Sequence, residues 1–148
     1  MTIAVEDPPA DPLTMTTTTV VIGGESDLLR VRSTMREYAR HAGLSLTATT
    51  KVVTAGSELT RNILRYATGG QGVASIEEAA SGQRRGVRAV FADQGPGIAD
   101  LDQAMCSGFS MAGGLGLGLP GSRRLVDEFA IDSAPGHGTR VAICQWDH

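Results

Sequence analysis

A chain of 148 residues, 41% of them hydrophobic, is long enough to bury a self-sufficient core. Its net charge of −3 gives no electrostatic footprint for nucleic acid, and its two cysteines, Cys106 and Cys144, have neither metal-ligand spacing nor the density of a disulfide framework. With no basic leader followed by an apolar stretch, and no apolar run of membrane-spanning length, the sequence reads as a cytoplasmic protein whose partners are neither nucleic acid nor membrane.

Residues 1 to 16 are rich in proline and acidic side chains, a composition that predicts a disordered lead-in, and residues 17 to 148 are read as one domain. The β-branched run Thr17 to Ile22 predicts a strand closed by Gly23-Gly24. A first helix follows, with Ser26 or Asp27 as its cap and Gly43 as its stop. Leu28, Val31, Met35, Tyr38 and Ala42 recur on it at the helical period and form a buried stripe.

A second helix is expected from Thr47 to Ala67, with Val52, Val53, Leu59, Ile63, Leu64 and Ala67 inward. Glu58 and Asn62 lie four residues apart on it, so a carboxylate and an amide oxygen share one face. Alone, such a pair is an ordinary solvated face. Beside a phosphate-binding loop it suits a Mg²⁺ ion that already carries phosphate oxygens and waters.

Gly72 to Ala80 predicts a strand, Ser81 to Gly86 a turn with the basic pair Arg84-Arg85 at a solvated tip, and Val87 to Ala92 the next strand. That strand delivers Asp93 at its end, next to Gly95-Pro96-Gly97-Ile98. An acidic residue there is either a plain turn former or a carboxylate that accepts the exocyclic amine of a purine, with the glycines letting the ring approach. Residues 99 to 106 are expected as a short helix.

Gly113 to Gly121 holds five glycines and a proline in nine positions, which abolishes ordinary helix or strand. Backbone N–H groups freed of side chains, placed before a helix expected over Ser122 to Phe129, favour an anion such as phosphate. Leu125, Val126 and Phe129 would face the core, and Asp127 and Glu128 solvent. Ile131 to Ser133, a turn at Pro135 to Gly138, and Thr139 to Trp146 predict a closing antiparallel hairpin in which Cys144 is inert core. Gly116 to Gly121 formally matches G-x-G-x-x-G, but no hydrophobic strand precedes it and no second parallel strand with an acidic end follows. A P-loop fails too, because the only lysine in the chain is Lys51.

Taken together, Ser57-Glu58-Leu59-Thr60-Arg61-Asn62-Ile63, Asp93-Gln94-Gly95-Pro96-Gly97-Ile98 and the glycine run with its following helix resemble the N, G1 and G2 boxes of the GHKL ATPases. Within that superfamily the order and spacing look most like the serine/threonine switch kinases of the RsbT type, in the anti-sigma regulatory branch. The resemblance implies a Bergerat ATP-binding fold, an α/β two-layer sandwich with a mixed, mostly antiparallel sheet covered on one face by helices. It implies Glu58 as general base and Asn62 as Mg²⁺ ligand. Asp93 would bind the adenine amine, Gly95 and Gly97 would give the ring room, Gly114, Gly116 and Gly118 would bind the phosphates, and Thr139 would support Asp93 or a bridging water. It further implies ATP and Mg²⁺ as cofactors and phosphorylation of a STAS-domain antagonist protein in a partner-switching stress pathway that controls an alternative sigma factor. A regulatory phosphatase or a sigma factor are further partners it implies. The alternative is a nucleotide-modulated binding module, an anti-sigma factor or phosphatase activator with little kinase activity. The segment from Ile98 to Gly114 carries no Arg or Lys, which leaves Arg123 and Arg124 as the candidate cations for the γ-phosphate.

Overall fold

The computed structural model describes residues 17–98, Met105 and residues 118–147. The lead-in, the helix expected over 99 to 106 apart from Met105, and Gly113 to Leu117 of the glycine run lie outside the described residues.

Strand β1 (Thr18–Ile22) leads into helix α1 (Glu25–Ala42), whose N-cap is Gly24. The cap chemistry differs from the sequence expectation. Asp27 sits inside the first turn and its Oδ2 accepts the N–H groups of Gly23 at 2.9 Å and Gly24 at 3.0 Å, the carboxylate half of a capping box. The Gly23 N–H in particular holds the Asp27 carboxyl below the ordinary range. Gly43 ends the helix in the left-handed region, as a C-terminal glycine does. Helix α2 (Leu46–Tyr66) is capped by Ser45, which accepts from Ala48 N at 3.1 Å.

A 3₁₀ turn (Thr68–Gly70) leads to β2 (Gly72–Ser81) and β3 (Arg84–Asp93), then α3 (Gly118–Leu125), β4 (Glu128–Ser133) and β5 (Thr139–Trp146). The sheet order is β1-β2-β3-β5-β4, and each of its four pairings is antiparallel. Helices α1 and α2 cover one face, and α3 packs on α2. Between the layers Ile22, Val31, Met35, Tyr38, Val52, Ile76 and Ile143 are fully buried, and the rest of the stripe read on α1, Leu28 and Ala42, is buried as well. This is the helix-covered α/β sandwich expected.

Two boundaries move. The ladder between β2 and β3 runs to Ser81 and Arg84 around a two-residue turn with Gly82 at φ 62, so the basic pair is part of the strand. Its side chains are also engaged: the Arg84 guanidinium lies 4.4 Å from the Trp146 ring centroid, and Arg85 pairs with the buried Glu78. His41 Nδ1 approaches the other Glu78 oxygen at 3.3 Å, outside hydrogen-bond alignment. Helix α3 starts at Gly118 and stops at Leu125, earlier at both ends than expected, because residues from Glu128 onward pair with β5. Glu128 does not face solvent as expected, for its Oε2 accepts Trp146 Nε1 at 2.6 Å, while Asp127 Oδ2 accepts Trp146 N at 3.0 Å.

The sheet face away from α1 and α2 carries a small buried cluster of Ala79, Ala130, Ala142, Cys144 and Trp146. Burial, reinforced by the Glu128 carboxylate, pushes the Cys144 thiol up to about 12. The unfolded chain ionises this thiol near its ordinary value of 9.0. Between those values the folded state holds the extra proton, so the stability contribution is complete below the lower value and is lost as pH rises. At pH 10 the loss is on the order of 1 kcal/mol. Urea unfolding of the native chain and of Cys144→Ala between pH 8 and pH 10.5 should therefore converge with rising pH. Parallel curves would show that Cys144 is not protected.

Candidate nucleotide site

The register brings three strand ends together at one end of the sheet. Asp93, the last residue of β3, pairs with Gly72 on one side and Thr139, the first residue of β5, on the other. Ser133, the last residue of β4, pairs with Thr139 in turn. Above these ends lies a cavity of about 150 Å³, walled by Leu59, Ile63 and Tyr66 of α2, Phe91 and Val141 of the sheet, and Leu119 of α3. A cavity of that size with apolar walls is on the order of what takes up a single aromatic ring. Asn62, Asp93 and Thr139 bring polar side chains to it and Gly97 joins them in its wall, so four of the residues singled out in the sequence meet in one space. The period of α2 explains Asn62, whose flank also carries the wall residues Leu59, Ile63 and Tyr66.

Asp93 Oδ1 accepts the N–H of Gly95 at 2.7 Å, which closes a tight turn and leaves Oδ2 outside that bond. The turn is then fastened to the β4–β5 hairpin. Gly136 N donates to Pro96 O at 2.9 Å, and Ile98 N donates to Ser133 Oγ at 2.9 Å. Gly97, at φ 77, lies with its α-carbon against the Ala134 carbonyl, and Gly138, at φ 74, lies against the carbonyl of Asp93 itself. Any Cβ at either position collides with a backbone oxygen. Gly95 also has its open side filled, by Ala67 and the Asp93 carboxylate. The space these glycines leave is used by neighbouring backbone, and Gly97 still contributes to the cavity wall.

Glu58 stands one turn before Asn62 on α2, beside the cavity and not in its wall. Its side chain is 15% exposed and its Oε1 accepts Arg61 Nη1 at 2.7 Å. Gly118, at φ 58, opens α3, and its carbonyl accepts Ser122 Oγ at 2.9 Å. Gly114 and Gly116 lie outside the described residues. Arg123 and Arg124 are exposed in the last turn of α3, away from the cavity wall.

Sequence reasoning missed three residues here. Ser133 was visible only as the inward step after Phe129 and Ile131 in an alternating strand, and Gly138 only as one of two turn glycines. Arg61, in the middle of the Glu58–Asn62 segment, was signalled by the i, i+3 spacing that allows an ion pair.

Residues 25–145 match the model of the histidine kinase-like ATPase domain family. The chain is 42% identical over 122 residues to the serine/threonine-protein kinase RsbT of Bacillus subtilis, covering 82% of this chain and 90% of that protein. It is also 30% identical over 158 residues to the virulence sensor protein BvgS of Bordetella bronchiseptica, covering 81% of this chain but 13% of that much longer protein. A crystal structure of the RsbU and RsbW domains of a Mycobacterium tuberculosis protein superposes with a TM-score of 0.62 at 22% identity, over 88% of this chain and 32% of the solved one. That last likeness bears on the fold.

Proposed function

This chain belongs to the histidine kinase-like ATPase family, and on that premise we propose that it transfers the γ-phosphoryl group of ATP to a serine or threonine of a STAS-domain antagonist protein. It is a serine/threonine-protein kinase of the RsbT kind, as its identity to RsbT over most of both chains indicates. The observation that supports the site is the meeting of Asn62, Asp93 and Thr139 in one apolar cavity. No helix among the described residues is long and apolar enough to cross a membrane.

In this reading the adenine ring lies between Leu59, Ile63, Phe91 and Val141, and the Asp93 carboxylate accepts its exocyclic amine. The N–H groups at the start of α3, with Gly114, Gly116 and Gly118, hold the phosphates. Asn62 offers one amide oxygen to Mg²⁺, which fits a cation that is otherwise ligated by phosphate oxygens and waters. When bound, that cation neutralises charge on the phosphates. Glu58 takes the proton of the attacking hydroxyl as its oxygen bonds to the γ-phosphorus, and the bond to the bridging oxygen of ADP breaks. Positioning and charge stabilisation supply most of the rate.

Incubation with Mg-ATP and candidate STAS-domain proteins should yield phosphoserine or phosphothreonine on one of them, detected by mass spectrometry. Labelled ATP that is bound without phosphate appearing on any such protein would overturn the substrate assignment.

A further inference from the structure

The proton count around Ser133 has a consequence for which base the cavity accepts. Ser133 Oγ makes three hydrogen bonds, to Ile98 N at 2.9 Å, Gly138 O at 2.9 Å and Thr139 Oγ1 at 2.8 Å. A hydroxyl has one proton and two lone pairs. The Ile98 N–H can only donate and fills one lone pair. The Gly138 carbonyl can only accept and takes the single proton. All three bonds then hold only if Thr139 donates its own proton into the second lone pair of Ser133. Thr139 Oγ1, a cavity wall residue, is left with lone pairs alone on its remaining side.

Thr139 is the strand neighbour of Asp93, and an ionised carboxylate is also acceptor-only. We propose that Ser133 is a specificity-determining positioning residue: it fixes the Thr139 hydroxyl as an acceptor, so that Asp93 and Thr139 together select a purine with an amine at position 6 over a 6-oxo purine. This rests on the reading of the cavity as the base site. An adenine amine offers two donor hydrogens to this pair, directly or through a water. A 6-oxo group offers a third acceptor and leaves lone pairs facing lone pairs, the kind of mismatch that gives large discrimination in a buried polar site. Because Ser133 also carries the Ile98 N–H, the same hydroxyl couples the turn after Asp93 to the polarity of the floor.

The test is equilibrium binding of ATP and inosine triphosphate to the full chain. Ser133→Ala frees the Thr139 proton to donate to a 6-oxo group, and the preference for ATP should shrink about tenfold, the worth of one hydrogen bond of roughly 1.4 kcal/mol. Ser133→Thr, which keeps the hydroxyl, should retain the preference. Thr139→Val removes the acceptor and should also shrink it, through weaker ATP binding. A ratio of two constants from one preparation is independent of the fraction folded, so simple destabilisation does not imitate the result. If Ser133→Ala weakens both nucleotides alike, the inference is wrong. If Asp93→Asn leaves ATP binding unchanged, the base-site reading fails instead, whatever Ser133→Ala does.

Discussion

Asp93→Asn is expected to weaken ATP binding by about 10- to 150-fold while the chain stays folded. The magnitude is that of a hydrogen bond to a charged group, about 1.5–3 kcal/mol. The fold should tolerate the change because the side-chain oxygen of asparagine can still accept the Gly95 N–H that now meets Oδ1 at 2.7 Å. The backbone of residue 93 is held separately, between Gly72 and Thr139 in the ladder and against the α-carbon of Gly138. What changes is the second side-chain atom, from an acceptor to an NH₂ donor, which in the proposed pose would face the amine of adenine. Calorimetric titration with ATP, together with an unchanged Tm, checks the expectation. An affinity within twofold of the parent protein would remove Asp93 from base recognition and move the nucleotide elsewhere. Gly138→Ala is a poor substitute for this experiment, since its Cβ would displace the Asp93 carbonyl and disturb fold and site together.

The two long helices were legible because each buries a stripe wide enough to impose a helical period. Val31, Met35 and Tyr38 on α1, and Val52, Leu59 and Ile63 on α2, are all buried. Asp93 at a strand end and the hairpin at Pro135 to Gly138 were legible from punctuation, since turn glycines and prolines carry local geometry in their chemistry. The limits of β3 and α3 were not. Arg84 and Arg85 have no strand preference of their own, and only pairing across the Gly82-Gln83 turn and partners on other elements, Trp146 and Glu78, give them a place. Phe129 fits a helical period after Leu125 and Val126, and it is the ladder to Ile143 that makes it a strand residue. Ser133 failed for a similar reason. Its three partners lie on the turn after Asp93 and at the start of β5, and a single serine carries no trace of them in its immediate neighbours.

Glu58→Gln is expected to lower phosphoryl transfer about 10²- to 10⁴-fold, the usual worth of a general base, with ATP affinity unchanged. Glu58 is not among the residues that wall the cavity, so removing its charge leaves the cavity lining, the proposed base site, intact. Glutamine keeps the length of the side chain and an oxygen able to accept Arg61 Nη1, so the variant tests proton transfer and not position. Arg61 supplies the complementary experiment. On α2 it flanks Glu58 on the side away from Asn62, and its bond to Oε1 holds the carboxylate with Oε2 as the oxygen outside that bond. Arg61→Ala should cost transfer about tenfold, a loss of aim with the base still present, and Arg61→Lys should recover part of it. Single-turnover rates measured at saturating Mg-ATP separate these effects from binding. A Glu58→Gln enzyme that transfers phosphate within threefold of the parent rate would mean that the hydroxyl loses its proton elsewhere. In that case the Glu58–Arg61 pair is only an i, i+3 contact on a helix, of a kind worth about 0.2–0.5 kcal/mol to stability.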